Sequence, residues 1–199
     1  MKFSTRYLAP IALLSSIPSL VLAHPGHEHA VEVGGFLSGL SHPIGGLDHL
    51  LAMLAVGLWS ALSFNQWQKI LTAPFSFVLV LALGALFALA GFSLPAVEPI
   101  ILVSLMVLGL LCAMRLKLSS TLGALIVAAF ALAHGMAHGA ELPLGQSATL
   151  YILGFLLSTM VIHSVGIALG LWLKDKSHWF TRILGGATCA YGAALLLGA

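Results

Sequence analysis

Two runs in this chain bring together side chains that hold protons and metal ions, and both sit in strongly apolar surroundings. The first, His42-Pro43-Ile44-Gly45-Gly46-Leu47-Asp48-His49, leads directly into the apolar segment Leu50–Leu62. The second is His134-Gly135-Met136-Ala137-His138-Gly139-Ala140-Glu141. A charged side chain at membrane depth costs roughly 2.5–3.5 kcal/mol even on a lenient insertion scale, so titratable groups there mark function by default. Imidazole and carboxylate together form a borderline ligand set that suits nickel, cobalt, zinc or copper(II) and suits copper(I) poorly. The chemistry expected is the binding of a divalent transition-metal ion where the two clusters meet.

Spacing refines the roles. Residues four apart on a helix face the same way, about 6 Å apart along the axis, so His134 and His138 can share one ion. Glu141 extends that face if the helix reaches it, and Pro143 predicts an end soon after. The first run reads differently: His42 and His49 are ~10 Å apart along a continuous helix, too far to clasp one ion. His42 is therefore expected as an outer relay ligand. His49 is expected to face the His134/His138 pair, with Asp48 either a ligand or the acceptor that fixes an imidazole tautomer. A lone intramembrane histidine commonly does no more than bond a neighbouring helix. Four histidines and two carboxylates at one depth, in a chain with only 6 acidic residues, resist that explanation. His163, beside Ser158, Thr159 and Ser164, is a lone case, read either as an inner relay or as an interhelical bonding group. His178 reads as a solvated residue.

The elements that must position these groups are membrane helices. Of 199 residues 60% are apolar and only 7% charged, with a mean hydropathy of +1.08, which excludes an ordinary soluble domain and predicts one polytopic membrane domain. A net charge of +2 gives no basis for nucleic-acid binding. The 2 cysteines, Cys112 and Cys189, lie in apolar segments and predict neither a disulfide nor a thiolate metal site. No Gly-rich phosphate loop ending in Lys-Ser or Lys-Thr occurs, so no ATP-driven engine is encoded here.

Residues 1–23 read as a signal peptide, with Lys2 and Arg6 ahead of a short apolar core and Val21-Leu22-Ala23 offering a cleavage site. Residues 24–35 then form a His-rich tail in which a freed amine at His24, with His27 and His29, has the donors to capture a divalent ion. Residues 36–199 form the transmembrane domain. Its apolar stretches, roughly 36–63, 72–92, 96–114, 119–138, 148–173 and 181–198, predict an all-α bundle of six transmembrane helices, seven if the leader is kept. The first stretch is overlong, and Pro43 suits the first position of a helix. A short interfacial lead-in near Val33–Leu40 is therefore expected before a span that begins around Pro43. Gly35/Gly39, Gly135/Gly139 and Gly166/Gly170 have the spacing that lets helices pack closely.

Charge placement predicts the orientation. Beyond residue 23 the basic residues are Lys69, Arg115, Lys117, Lys174, Lys176 and Arg182, all in or beside the first, third and fifth connections. The positive-inside rule makes that side cytoplasmic and puts both termini of the mature chain in the periplasm. Both histidine clusters then lie in the outer half of the membrane. Trp59, Trp67, Trp172 and Trp179 fall near the cytoplasmic ends, as an interfacial belt would.

The pattern His42-Pro43-x-Gly45-Gly46-x-Asp48-His49, followed by Leu50-Leu51-Ala52-Met53-x-Ala55-Val56-Gly57-Leu58-Trp59, resembles the signature of the HupE/UreJ family of bacterial membrane proteins. His134-Gly135-x-Ala137-His138-Gly139-x-Glu141 is similar to that family's second motif, and His24-Pro25-Gly26-His27 to the start of its mature chains. The resemblance covers essentially the whole chain. It implies a secondary permease of the inner membrane, not an enzyme, that carries nickel or cobalt to hydrogenase or urease maturation. Copper(II) and zinc remain open as cargo from the ligand set alone. By matching position, His42, Asp48, His49, His134, His138 and Glu141 would carry the metal. No permanent cofactor is expected; the partners are the ion and the bilayer, and a homo-oligomer is compatible with the sequence. The competing expectation is an intramembrane metal-dependent hydrolase that uses the same residues around a metal-activated water.

Overall fold

The structure, a computed structural model, describes residues 28–198. The expected leader, His24 and His27 lie outside the described residues, as does the His29 side chain. Among the described residues seven α-helices and no strand are formed: α1 (Glu28–Gly45), α2 (Leu47–Ser63), α3 (Trp67–Leu89), α4 (Val97–Ala113), α5 (Ser120–Ala140), α6 (Ala148–Lys174) and α7 (His178–Leu196). Serines start three of them. Ser119, Ser147 and Ser177 each accept a hydrogen bond from a backbone N–H in the first turn of α5, α6 and α7, satisfying a donor the helix itself leaves free.

Helices α3, α5 and α6, of 23, 21 and 27 residues, are long and apolar enough to cross a bilayer. Helices α1 and α2 meet that test together, as a pair bent by 81°. The chain is a multi-pass membrane protein.

Helix α2 is the centre of the bundle. Nearly every residue from Ala52 to Leu62 is buried, which requires a helix that is apolar on all sides rather than along one stripe. It packs along α6, while α3 pairs with α5, α4 with α7, and α1 with α6. Glycines set the closeness of these pairs. A Cβ on Gly39 or Gly35 would meet α6 backbone, one on Gly135 or Gly139 would collide with α3, and one on Gly166 or Gly170 would collide with α2. Each small-residue pair thus seats on a different neighbour. Leu79, Leu83 and Phe75 of α3 and Val161 and Val165 of α6 point outward, as side chains facing lipid do.

The expected lead-in is corrected by the backbone. Helix α1 runs unbroken from Glu28 through Pro43 to Gly45, and the break falls at Gly46, whose φ and ψ of −105° and 116° are extended. Pro43 therefore sits in the last turn of a helix and not at the head of one. Trp59 is a second correction. It is fully buried, its ring covers Gly123, and its Nε1–H donates to the Leu116 carbonyl at 2.9 Å, so it is not part of a belt. Trp67, Trp172 and Trp179 are exposed.

Two of the basic residues serve helix ends. Arg115 donates to the carbonyls of Leu173 and Lys174 and to the Thr181 hydroxyl, and Lys174 Nζ donates to the carbonyls of Ala61 and Phe64. The carbonyl ends of α2 and α6 are negative, so cations there are favourable. These bonds tie three connections together at the end of the bundle away from His42 and His138.

Candidate metal centre

The elbow at Gly46 builds the site. A sharp turn between α1 and α2 brings His42, at the end of one helix, and His49, in the first turn of the next, onto the same partner. His138 of α5 has its ring centroid 4.7 Å from that of His42 and 4.3 Å from that of His49. The ~10 Å separation expected for a continuous helix does not apply. His42 is thus an immediate neighbour of the buried histidines.

His134, one turn back along α5, stands edge to face with His49 at 5.0 Å. The four rings form a continuous file: His42, His138, His49, His134. His134 and His138 are 0% and 1% exposed. Carboxylates flank the file at two places. Glu141 Oε2 lies 2.8 Å from His42 Nε2 and 3.7 Å from His138 Nδ1, and Asp48 Oδ1 lies 3.0 Å from His49 Nδ1. Glu141 follows the last residue of α5, and the imidazoles of His138 and His42 beside it hold its carboxyl well below the usual carboxylate range. His42, His138 and Glu141 each offer a ligand atom, and these atoms lie within 4.8 Å of one another. Glu141 belongs with His42 and His138, not with the His134/His138 pair alone.

Four ring nitrogens in the file are buried without a hydrogen-bond partner among the described residues: His49 Nε2, His134 Nδ1 and both nitrogens of His138. An unpaired buried polar atom costs on the order of 1–3 kcal/mol, and native proteins keep few of them. Nitrogen lone pairs held in this way are ready to ligate a cation. A cavity of about 580 Å³ reaches the file at His49, lined by Asp48, His49, Glu98, Met136 and Glu141 with Phe92–Leu94 along one wall. Three carboxylates at its walls favour a cation over an anion.

His163 lies on α6, deeper in the bundle, and is not in the file. Phe77 of α3 separates the two, its ring 5.6 Å from that of His134 and 5.1 Å from that of His163. Both His163 nitrogens are buried without a partner, so the described structure gives it no interhelical bond to explain it. His178 is exposed.

Several neighbours of the file carry no sequence signal. Ser104 of α4 touches His134, and Tyr151 and Phe155 of α6 pack on His42 and His138. Glu98 opens α4 and enters the cavity because α4 packs beside α2 and α5. A serine, two aromatics and a first-turn glutamate in apolar helices are common enough that only the packing distinguishes them.

The comparisons with known proteins agree with the motif reading. The model of the family described as HupE / UreJ protein matches residues 11–195. This chain belongs to the HupE/UreJ family. Protein HupE of Rhizobium leguminosarum bv. viciae is 41% identical over 201 residues, an alignment that covers 100% of both chains. No solved structure matches. Both histidine runs of this HupE/UreJ chain fall inside the matched family region.

Proposed function

We propose that this HupE/UreJ chain is a secondary permease that moves a divalent transition-metal ion, nickel above all, across the bacterial inner membrane to supply hydrogenase or urease. The observation that carries the reading is the file of four imidazoles, flanked by Asp48 and Glu141, with buried unpartnered nitrogens and an acidic cavity that meets the file at His49. The ion enters the cavity, exchanges hydration water for Glu141, His42 and His138, and passes to His49 and His134. His163, beyond Phe77, is the next donor along the route inward. Six crossings, α2 to α7, with the basic connections in the cytoplasm, set the file in the outer half of the membrane. Both termini are then periplasmic, and His24, His27 and His29 form a capture tail once the leader is cut. The inside-negative membrane potential drives cation entry at about 2.3 kcal/mol per charge per 100 mV.

The test is flux. Purified protein in proteoliposomes should take up radioactive nickel when the interior is made negative, with cobalt, zinc and copper(II) compared as competitors. His49→Ala and Asp48→Asn should abolish uptake. Absence of flux, or flux that survives loss of these side chains, refutes the proposal. Release of a product from lipid or peptide by the same residues would favour a hydrolase instead.

A further inference from the structure

Ser104 is fully buried in the middle of α4, and its hydroxyl touches two groups. Its Oγ is 2.6 Å from the Ile101 carbonyl oxygen and 3.0 Å from His134 Nε2. A carbonyl oxygen only accepts, so the single hydroxyl proton must go to Ile101. Two acceptors facing each other at 2.6 Å without that proton would repel. The lone pairs of Oγ are then left for His134, and the contact is a hydrogen bond only if Nε2 carries the ring proton. A neutral imidazole has one N–H, so the basic lone pair falls on Nδ1. That is the nitrogen of His134 that is buried and has no partner among the described residues.

We propose that Ser104 is a positioning residue: anchored on the Ile101 carbonyl, it locks His134 in the Nε2–H form and presents Nδ1 to the transported cation. The proposal rests on the permease reading for the cargo, but the lock itself is a property of the protein alone. A helix serine bonded to the carbonyl three residues back satisfies its own hydroxyl and needs no histidine. The dependence runs the other way, because His134 Nε2 has Ser104 as its only side-chain partner among the described residues. The facing ring is held from the opposite nitrogen. Asp48 Oδ1 beside His49 Nδ1 favours the proton there and leaves His49 Nε2 as the lone pair, also buried and without a partner. Ser104 and Asp48 thus work as a pair from α4 and α2. Each turns one nitrogen of a facing imidazole outward as donor, which is how outer hydrogen bonds orient metal-binding histidines.

The test reads the ring directly. Full-length protein labelled with nitrogen-15 histidine, in detergent at about pH 8 where imidazole is neutral, gives distinct ring-nitrogen signals for the two tautomers; His134→Gln assigns the pair. Wild type and Ser104→Thr should show His134 protonated on Nε2, and Ser104→Ala should show a mixture. Titration with nickel chloride should then give an affinity roughly 10–100-fold weaker for Ser104→Ala, with the hydroxyl of Ser104→Thr restoring it. His134 protonated on Nδ1 in the wild type overturns the proposal without any variant having to fold. So does a Ser104→Ala protein with unchanged tautomer and affinity. If the wild type binds no nickel while the tautomer responds to Ser104→Ala, the permease reading fails and the lock stands.

Discussion

His42 and His138 stand edge to face, ring centroids 4.7 Å apart and planes at 81°, one in the last turn of α1 and the other in the last turn of α5. The contact exists because the chain breaks at Gly46 and folds back by 81°. A straight helix from Pro43 onward would carry His42 away from the bundle. The elbow is therefore as much a part of the site as the imidazoles.

That dependence can be tested at two adjacent glycines. A Cβ on Gly46 would fall 2.8 Å from Asp48 Oδ1 and 3.3 Å from His49 Nδ1, whereas one on Gly45 would meet nothing within 4 Å. Gly46→Ala should leave the fold intact, since side chains can give way, but displace the Asp48–His49 pair and weaken nickel binding by roughly tenfold. Gly45→Ala should be silent. Calorimetric titration with nickel, alongside thermal unfolding of each variant, checks both expectations.

Binding and passage should separate at His138 and His163. His138 touches both His42 and His49, so His138→Ala should remove high-affinity binding together with uptake. His163 lies beyond Phe77, so His163→Ala should keep equilibrium binding and slow flux by about tenfold or more, as a lost relay would. Parallel binding and proteoliposome uptake measurements distinguish the two. Equal loss of binding in both variants would place His163 in the same site after all.

Acid should inhibit uptake. A proton and a metal ion compete for the same imidazole lone pair, so binding weakens as the medium is acidified from about pH 7.5 to about pH 5.5. Glu141 is held well below the usual carboxylate range by its histidine neighbours and stays ionised over that interval. Glu141→Gln should lower the plateau of uptake and move its midpoint to lower pH, because an ionised carboxylate beside an imidazole favours the protonated ring. Initial rates measured from about pH 7.5 down to about pH 5.5 test this, and uptake that rises with acidity would contradict it.

Close helix contact predicts a stability effect independent of metal. A Cβ on Gly135 would collide with the Leu81 carbonyl of α3, whereas one on Gly186 would meet nothing within 4 Å. Gly135→Ala should cost about 1–3 kcal/mol, as overpacking does. Gly186→Ala should stay within about 0.5 kcal/mol of wild type. Thermal unfolding in detergent, without added metal, measures the difference.

Much of the site was legible in the sequence because helical spacing carries geometric information. His134 and His138, four apart, do share a buried face, and the glycine pairs do mark helix contacts. The elbow was not legible. Pro43 fits a helix start as well as a last turn, and both Gly45 and Gly46 are weak helix formers, so local preference left the break ambiguous by several residues. The partner of His134 was hidden for another reason. Ser104 lies among apolar residues with no periodic mark, and only the packing of α4 against α5 brings its hydroxyl to the ring. Trp59 was misplaced because a tryptophan near a helix end suits both a lipid interface and a buried slot, and Gly123 supplies the slot.

The central claim is that imidazoles from more than one helix hold one ion together, with His138 among them. X-ray absorption at the nickel edge of nickel-loaded protein measures this directly. The account predicts a nitrogen and oxygen shell with outer scattering from two or more imidazoles and no sulfur, reduced or lost in His138→Ala. A nickel shell without imidazole scattering, or one unchanged when His138 is removed, would contradict it.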